Sequence, residues 1–191
     1  MRDVFDLEHT TNILADDSYI VSYPHLLGYF VTKTSLGAAD VVCGAHMVYG
    51  WMPTILELYS QPTKLGLVEA ADLLTGARSS GTLTDAELGK LAGLVNNSLV
   101  GASKLLHFIA PNSFAIWDSK VYSFVFNERP HNYRVNQVAK YRKYLGILRE
   151  LQRDQRLGQF HISMNGKIGY TVSPLRALEL VMYLNAPVFE G

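Results

Sequence analysis

Two polar side chains stand out in and just beyond the segment Ser98-Leu99-Val100-Gly101-Ala102-Ser103-Lys104-Leu105-Leu106-His107-Phe108-Ile109. Lys104 sits inside this apolar, helix-forming run, and Asp118 comes fourteen residues later, ahead of another apolar run. A lysine amine becomes a nucleophile when desolvation or neighbouring charge lowers its pKa. A carboxylate stabilises positive charge that develops in a transition state. The pair is the chain's best candidate for chemistry, because the other options fall away.

The six histidines, at 9, 25, 46, 107, 131 and 161, are scattered, and no two stand at i, i+3 or i, i+4. No zinc site is legible in such spacing. The single cysteine, Cys43, excludes an internal disulfide and a four-thiolate cluster. It lies in an apolar run and is expected to be a buried, inert thiol. There is no phosphate-binding glycine loop and no nucleophile elbow. No cofactor and no metal are implied. The longest apolar stretch, 36–58, is interrupted by Asp40, His46 and Pro53, so no membrane span is expected. The acidic start, Met1 to Glu8, does not read as a secretory signal, and the expectation is a cytoplasmic protein.

The elements that must position the pair read as mostly α-helical, in one domain over 1–191. Residues 1–35 are mixed and read as loop with short helix or strand. A helical pattern over 36–59 carries a break at Gly50 and Pro53, a short helix fits 66–75, and 76–81 reads as a Gly/Ser loop. Thr84 and Glu87 form a capping box for a helix reaching about Asn97. Ser98 to Gly101 turns the chain into a helix over 102–109, and Asp118 N-caps another through Phe126. Residues 133–156 are the most periodic, with an apolar stripe from Val135 to Leu151. Asn165-Gly166, between 160–162 and 168–170, signals a small β-hairpin. Ser173-Pro174 starts a last helix, 174–184.

Charge is distributed unevenly. The chain holds 17 basic and 17 acidic side chains, yet residues 1–88 carry four basic and eleven acidic ones (net −7), and residues 89–191 thirteen and six (net +7). The segment 120–156 contributes nine cations, among them Lys120, Lys140, Arg142, Lys143, Arg149, Arg153 and Arg156, against three acids. Such a run suits a phosphate-facing surface. The competing reading is an electrostatic match between the two halves of one fold. The four arginines from Arg142 to Arg156 are expected to share one side of a helix.

A helix, a glycine turn, a lysine-bearing helix, an apolar stretch and an Asp at the next helix start resemble the helix-hairpin-helix DNA glycosylase superfamily. The likeness is greatest to its 8-oxoguanine DNA glycosylase branch, and it covers about residues 84–126. The resemblance implies that Gly101 is the hairpin glycine contacting DNA, Lys104 the nucleophile and Asp118 the catalytic carboxylate. It implies a base excision repair enzyme, a hydrolase with possible lyase activity, acting on double-stranded DNA with the target base flipped out of the stack. Trp51, Phe114 and Trp117 would line the base pocket, with His107 as a polar contact. The same resemblance allows a monovalent cation held by the hairpin's carbonyls. Two other readings stay open: an inactive nucleic-acid-binding protein of the same fold, and a helical protein–protein module joined through its two charged halves.

Overall fold

The computed structural model describes residues 1–59 and 65–189. Eleven helices occupy them, and the only β-pairing among the described residues is an isolated bridge between Leu58 and Val95. The helices are α1 (Val4–Glu8), α2 (Ser18–Val31), α3 (Ala38–Trp51), α4 (Leu67–Ser80), α5 (Asp85–Leu94), α6 (Leu99–Ile109), α7 (Ser119–Phe126), α8 (Asn132–Val135), α9 (Val138–Leu151), α10 (Leu157–Ile168) and α11 (Pro174–Leu184). Among the described residues no helix is long and apolar enough to cross a membrane.

The mostly helical expectation is met, and most starts are set by local chemistry. Thr84 accepts the Glu87 N–H while the Glu87 carboxylate accepts the Thr84 N–H, which fixes the start of α5. Ser173 accepts the Arg176 N–H with Pro174 in the first turn of α11. Asp118 Oδ1 accepts the Val121 N–H at 2.9 Å and caps α7.

Four expectations are corrected. Residues 18–31 are one continuous helix despite Pro24. A proline there leaves the carbonyl four residues back without its helical donor, and the Tyr170 hydroxyl donates to that Ile20 carbonyl at 2.6 Å. Residues 76–80 are helical, since α4 runs through Gly76 and ends at Gly81, whose φ of 69° suits a glycine C-cap. The hairpin expected around Asn165-Gly166 is absent. Those residues lie inside α10, where Phe160, Met164 and Ile168 recur at i, i+4, i+8 and are buried, so the apolar stripe outweighs the turn signal. The periodic stretch 133–156 is broken at Asn136-Gln137 and stops being helical after Leu151.

A contiguous cluster of buried apolar residues runs from Val4 to Met182. Helix α6 is its axis: all of its residues except Val100 and Lys104 are buried, and it packs on α2, α3, α4 and α5. The turn from α5 to α6 places Asn96 and Asn97 in the left-handed region, with φ of 53° and 49°. Asparagine tolerates that region better than most residues do.

Candidate functional site

Helix α6 and the extended segment 114–118 carry the two singled-out side chains, and buried hydrogen bonds lock one against the other. Ser103 Oγ accepts the Trp117 N–H at 3.1 Å. One turn on, His107 Nδ1 donates to the Phe114 carbonyl at 2.8 Å, so its Nε2 accepts from the Tyr23 hydroxyl at 2.7 Å. Tyr141 donates to the Ala115 carbonyl at 3.0 Å, and Trp117 Nε1 to the Val135 carbonyl at 2.8 Å. Asp118 is therefore held at the end of a segment pinned by α6, α8 and α9, and Lys104 is the neighbour of one of the pins.

Both side chains line one open cleft of about 850 Å³. Its walls are the 12–20 segment, the end of α3 with Trp51 and Met52, residues 116 and 118–120, residues 130–132 and 135, and one face of α11 between Arg176 and Leu184. Val100 and Lys104, the two α6 residues that are not buried, are the two that face it. Ligand sites commonly fall between ~300 and ~1,000 Å³.

The electrostatics favour a reactive amine. Burial pulls the Lys104 pKa below its usual value; Asp118 and Glu179 oppose that shift, and Arg176 adds to it. Among the described residues Lys104 has no ion-pair partner within 4.0 Å, and its Nζ lies 5.7 Å from the centroid of the Trp51 ring. Arg176 and Glu179, 5% and 1% exposed, bond to one another at the cleft floor. Burial, helped by the Asp118 charge, pushes the Glu179 carboxyl up to about 7, against the pull of Arg176. The Arg176 guanidinium also lies 5.0 Å from the Tyr23 ring and 5.9 Å from the Trp51 ring.

The structure brings together Lys104, Asp118 and Trp51 of the expected residues, and adds Lys120 at the rim, 4.3 Å over the Tyr183 ring. It separates others. His107, Phe114 and Trp117 are buried and do not line the cleft. They are the frame of the site rather than its pocket, and burial holds His107 neutral with a pKa lowered to about 3. Gly101 is no exposed hairpin glycine: it lies in the first turn of α6 against Tyr49, where a Cβ would come within 2.1 Å of the hydroxyl. Cys43 is exposed, not buried.

The basic run is also redistributed. Arg156 has left α9 and pairs with Asp154 at 2.9 Å and Asp3 at 3.0 Å. Arg142 pairs with Asp85 at 2.8 Å and bonds the Leu83 carbonyl. The four arginines therefore do not form one helical stripe. Arg153 pairs with its neighbour Glu150 at 2.7 Å, and Arg149 is exposed with no ion-pair partner among the described residues. Lys140 and Lys143 lie over the Phe126 ring, at 4.1 and 5.6 Å.

Sequence reasoning passed over Arg176 and Glu179. The signal was present: Leu175 to Met182 is apolar throughout except for these two residues at i, i+3, and two charges inside so apolar a helix require a buried partnership. Among the described residues no group of three or more His, Cys, Asp or Glu side chains is arranged to hold a metal ion. Comparison with protein-family models, with curated proteins and with solved structures finds no match.

Proposed function

We propose that this protein excises a modified base from double-stranded DNA, with Lys104 as the attacking amine and Asp118 as its electrostatic partner. The observation that carries the reading is the convergence of a desolvated, unpaired lysine and a helix-capping carboxylate on one cleft beside a tryptophan. The resemblance of residues 84–126 to helix-hairpin-helix glycosylases agrees with that convergence, and the proposed setting is the cytoplasm.

A base flipped from the duplex enters the cleft and packs against Trp51, which of the three expected aromatic side chains is the one that lines it. The neutral Lys104 amine adds to C1′ of the deoxyribose as the C1′–N bond breaks, and the base leaves with the bonding electrons and takes up a proton. Positive charge spread over the sugar in that transition state is stabilised by the Asp118 carboxylate. The nitrogen lone pair then forms the C=N bond as the C1′–O4′ bond breaks, the amine proton passing to O4′, and the product is a Schiff base, the species from which strand nicking proceeds. Lys120 at the rim is placed to meet a backbone phosphate.

A panel of duplex oligonucleotides, each bearing one modified base, tests this with borohydride present. A covalent protein–DNA product should form on at least one member and vanish in Lys104→Gln, while that variant still binds duplex. No product on any member, or a full yield from Lys104→Gln, overturns the reading.

A further inference from the structure

The Arg176–Glu179 pair has no evident structural purpose. A buried ion pair is often matched or bettered in stability by apolar side chains of similar size, and the helix around this one is otherwise apolar from Leu175 to Met182. Its location is distinctive instead. Both residues border the cleft that holds Lys104 and Asp118, both are buried, and the guanidinium and the Lys104 amine lie against the same Trp51 ring at 5.9 and 5.7 Å.

We propose that Glu179, fixed in place by Arg176, is a positioning residue that sets the charge of the Lys104 amine and hence the pH at which the cleft is reactive. This rests on the reading of Lys104 as the working amine of the cleft. The groups around that amine come from each surrounding element. Asp118 faces it from the start of α7, Glu179 and Arg176 from α11, and Trp51 from α3, with Asp17, Lys120 and His131 at the cleft walls. His107, on α6 itself, is neutral and turned into the core. Two anions thus oppose burial and one cation reinforces it. With Glu179 ionised the amine keeps its proton to higher pH. Removing that negative charge leaves Arg176 uncompensated and tips the amine toward its neutral, nucleophilic form. Arg176 pins the carboxylate, so the influence on Lys104 is exerted from a fixed position and not from a mobile surface chain.

The test reads the amine with no DNA present. The intact protein is labelled with acetic anhydride across a pH series, and mass spectrometry follows the peptide bearing Lys104. In Glu179→Gln the midpoint for Lys104 should move to lower pH. Below the wild-type midpoint its labelling rate should rise about tenfold, the effect of losing one nearby opposite charge. Glu179→Asp, which retains the charge, should restore the wild-type midpoint. Should Glu179→Gln fail to fold, Arg176→Met/Glu179→Met replaces the pair with apolar volume; because Glu179 acts on the amine more strongly than Arg176, the midpoint should move in the same direction by a smaller amount. A midpoint unchanged in the variant that folds overturns the proposal. A shifted midpoint in a protein that traps no DNA would sink the glycosylase reading and leave this one standing.

Discussion

Asp118 caps α7 through Val121 and also faces the Lys104 amine, so its replacements separate folding from chemistry. Asparagine caps a helix about as well as aspartate, whereas alanine loses ~1 kcal/mol. Asp118→Asn should keep the wild-type urea midpoint yet slow base release on the order of 10²-fold or more, and Asp118→Ala should lose both; single-turnover rates and urea melts measure the two effects. An Asn variant at full rate would remove the carboxylate from the mechanism. His107 makes a different prediction. Its folded pKa is about 3 against an ordinary value of 6.5, so below pH ~6.5 the unfolded chain takes up a proton that the folded chain refuses. Its contribution is complete above that pH and is lost as pH falls toward 3, by roughly 1 kcal/mol per pH unit. Over the same range Glu179, raised to about 7, works in the opposite sense, so the slope should be read as the difference between wild type and His107→Gln in urea melts from pH ~6.5 to ~4. Lysine and aspartate were legible because each lies at a break in local pattern. The role of His107 was not, because its partners Tyr23 and Phe114 come from other elements.

Glycine makes the corresponding argument for elements, since two glycines inside helices have opposite surroundings. In the middle of a helix Gly→Ala ordinarily stabilises by ~0.5–1 kcal/mol. Gly146 in α9 has nothing within 4 Å of where a Cβ would lie, so Gly146→Ala should raise stability by about that amount. Gly101 in α6 would place its Cβ 2.1 Å from the Tyr49 hydroxyl and under 3 Å from the ring. Tyr49 is 3% exposed and donates to the Val95 carbonyl at 3.1 Å, so it cannot swing aside without breaking that bond. Overpacking of this kind costs typically ~1–3 kcal/mol, so Gly101→Ala should destabilise, and thermal melts of the two variants should move apart. Boundaries with local causes, such as the capping box of α5 and the Ser-Pro start of α11, could be read from sequence. Pro24 could not, because the hydroxyl that rescues its helix belongs to Tyr170, remote in sequence. Asn165-Gly166 misled for a related reason: a turn signal is local, whereas the burial of Phe160, Met164 and Ile168 is decided by the rest of the core.

Across the whole molecule the opposed charges of the two halves meet, though only in part. Arg142 ties the second turn of α9 to Asp85 at the start of α5, and Arg156 ties the end of the basic run to Asp3 ahead of α1. Arg156 also lies 4.4 Å over the Phe5 ring. These two cations join the acidic half to the basic half and are engaged before any partner arrives. Sequence arithmetic displays the asymmetry and offers two readings, a phosphate-facing surface or an internal match; the fold engages Arg142 and Arg156 in the internal match and leaves Arg149 and Arg153 outside it. Arg149 has no ion-pair partner among the described residues, and Arg153 is held only by its exposed neighbour Glu150. A phosphate contact releases counterions and adds about one unit to the salt slope of binding. Arg149→Gln/Arg153→Gln should therefore flatten the dependence of duplex affinity on salt by about two units, with no preference for sequence and an unchanged urea midpoint. Arg142→Gln/Arg156→Gln should do the reverse, lowering the urea midpoint while the slope holds. Fluorescence anisotropy across a salt series, alongside urea melts, separates the pairs. A slope unchanged in the first variant would turn that face away from DNA, and a slope flattened by the second would mean the two bridges open when the duplex binds.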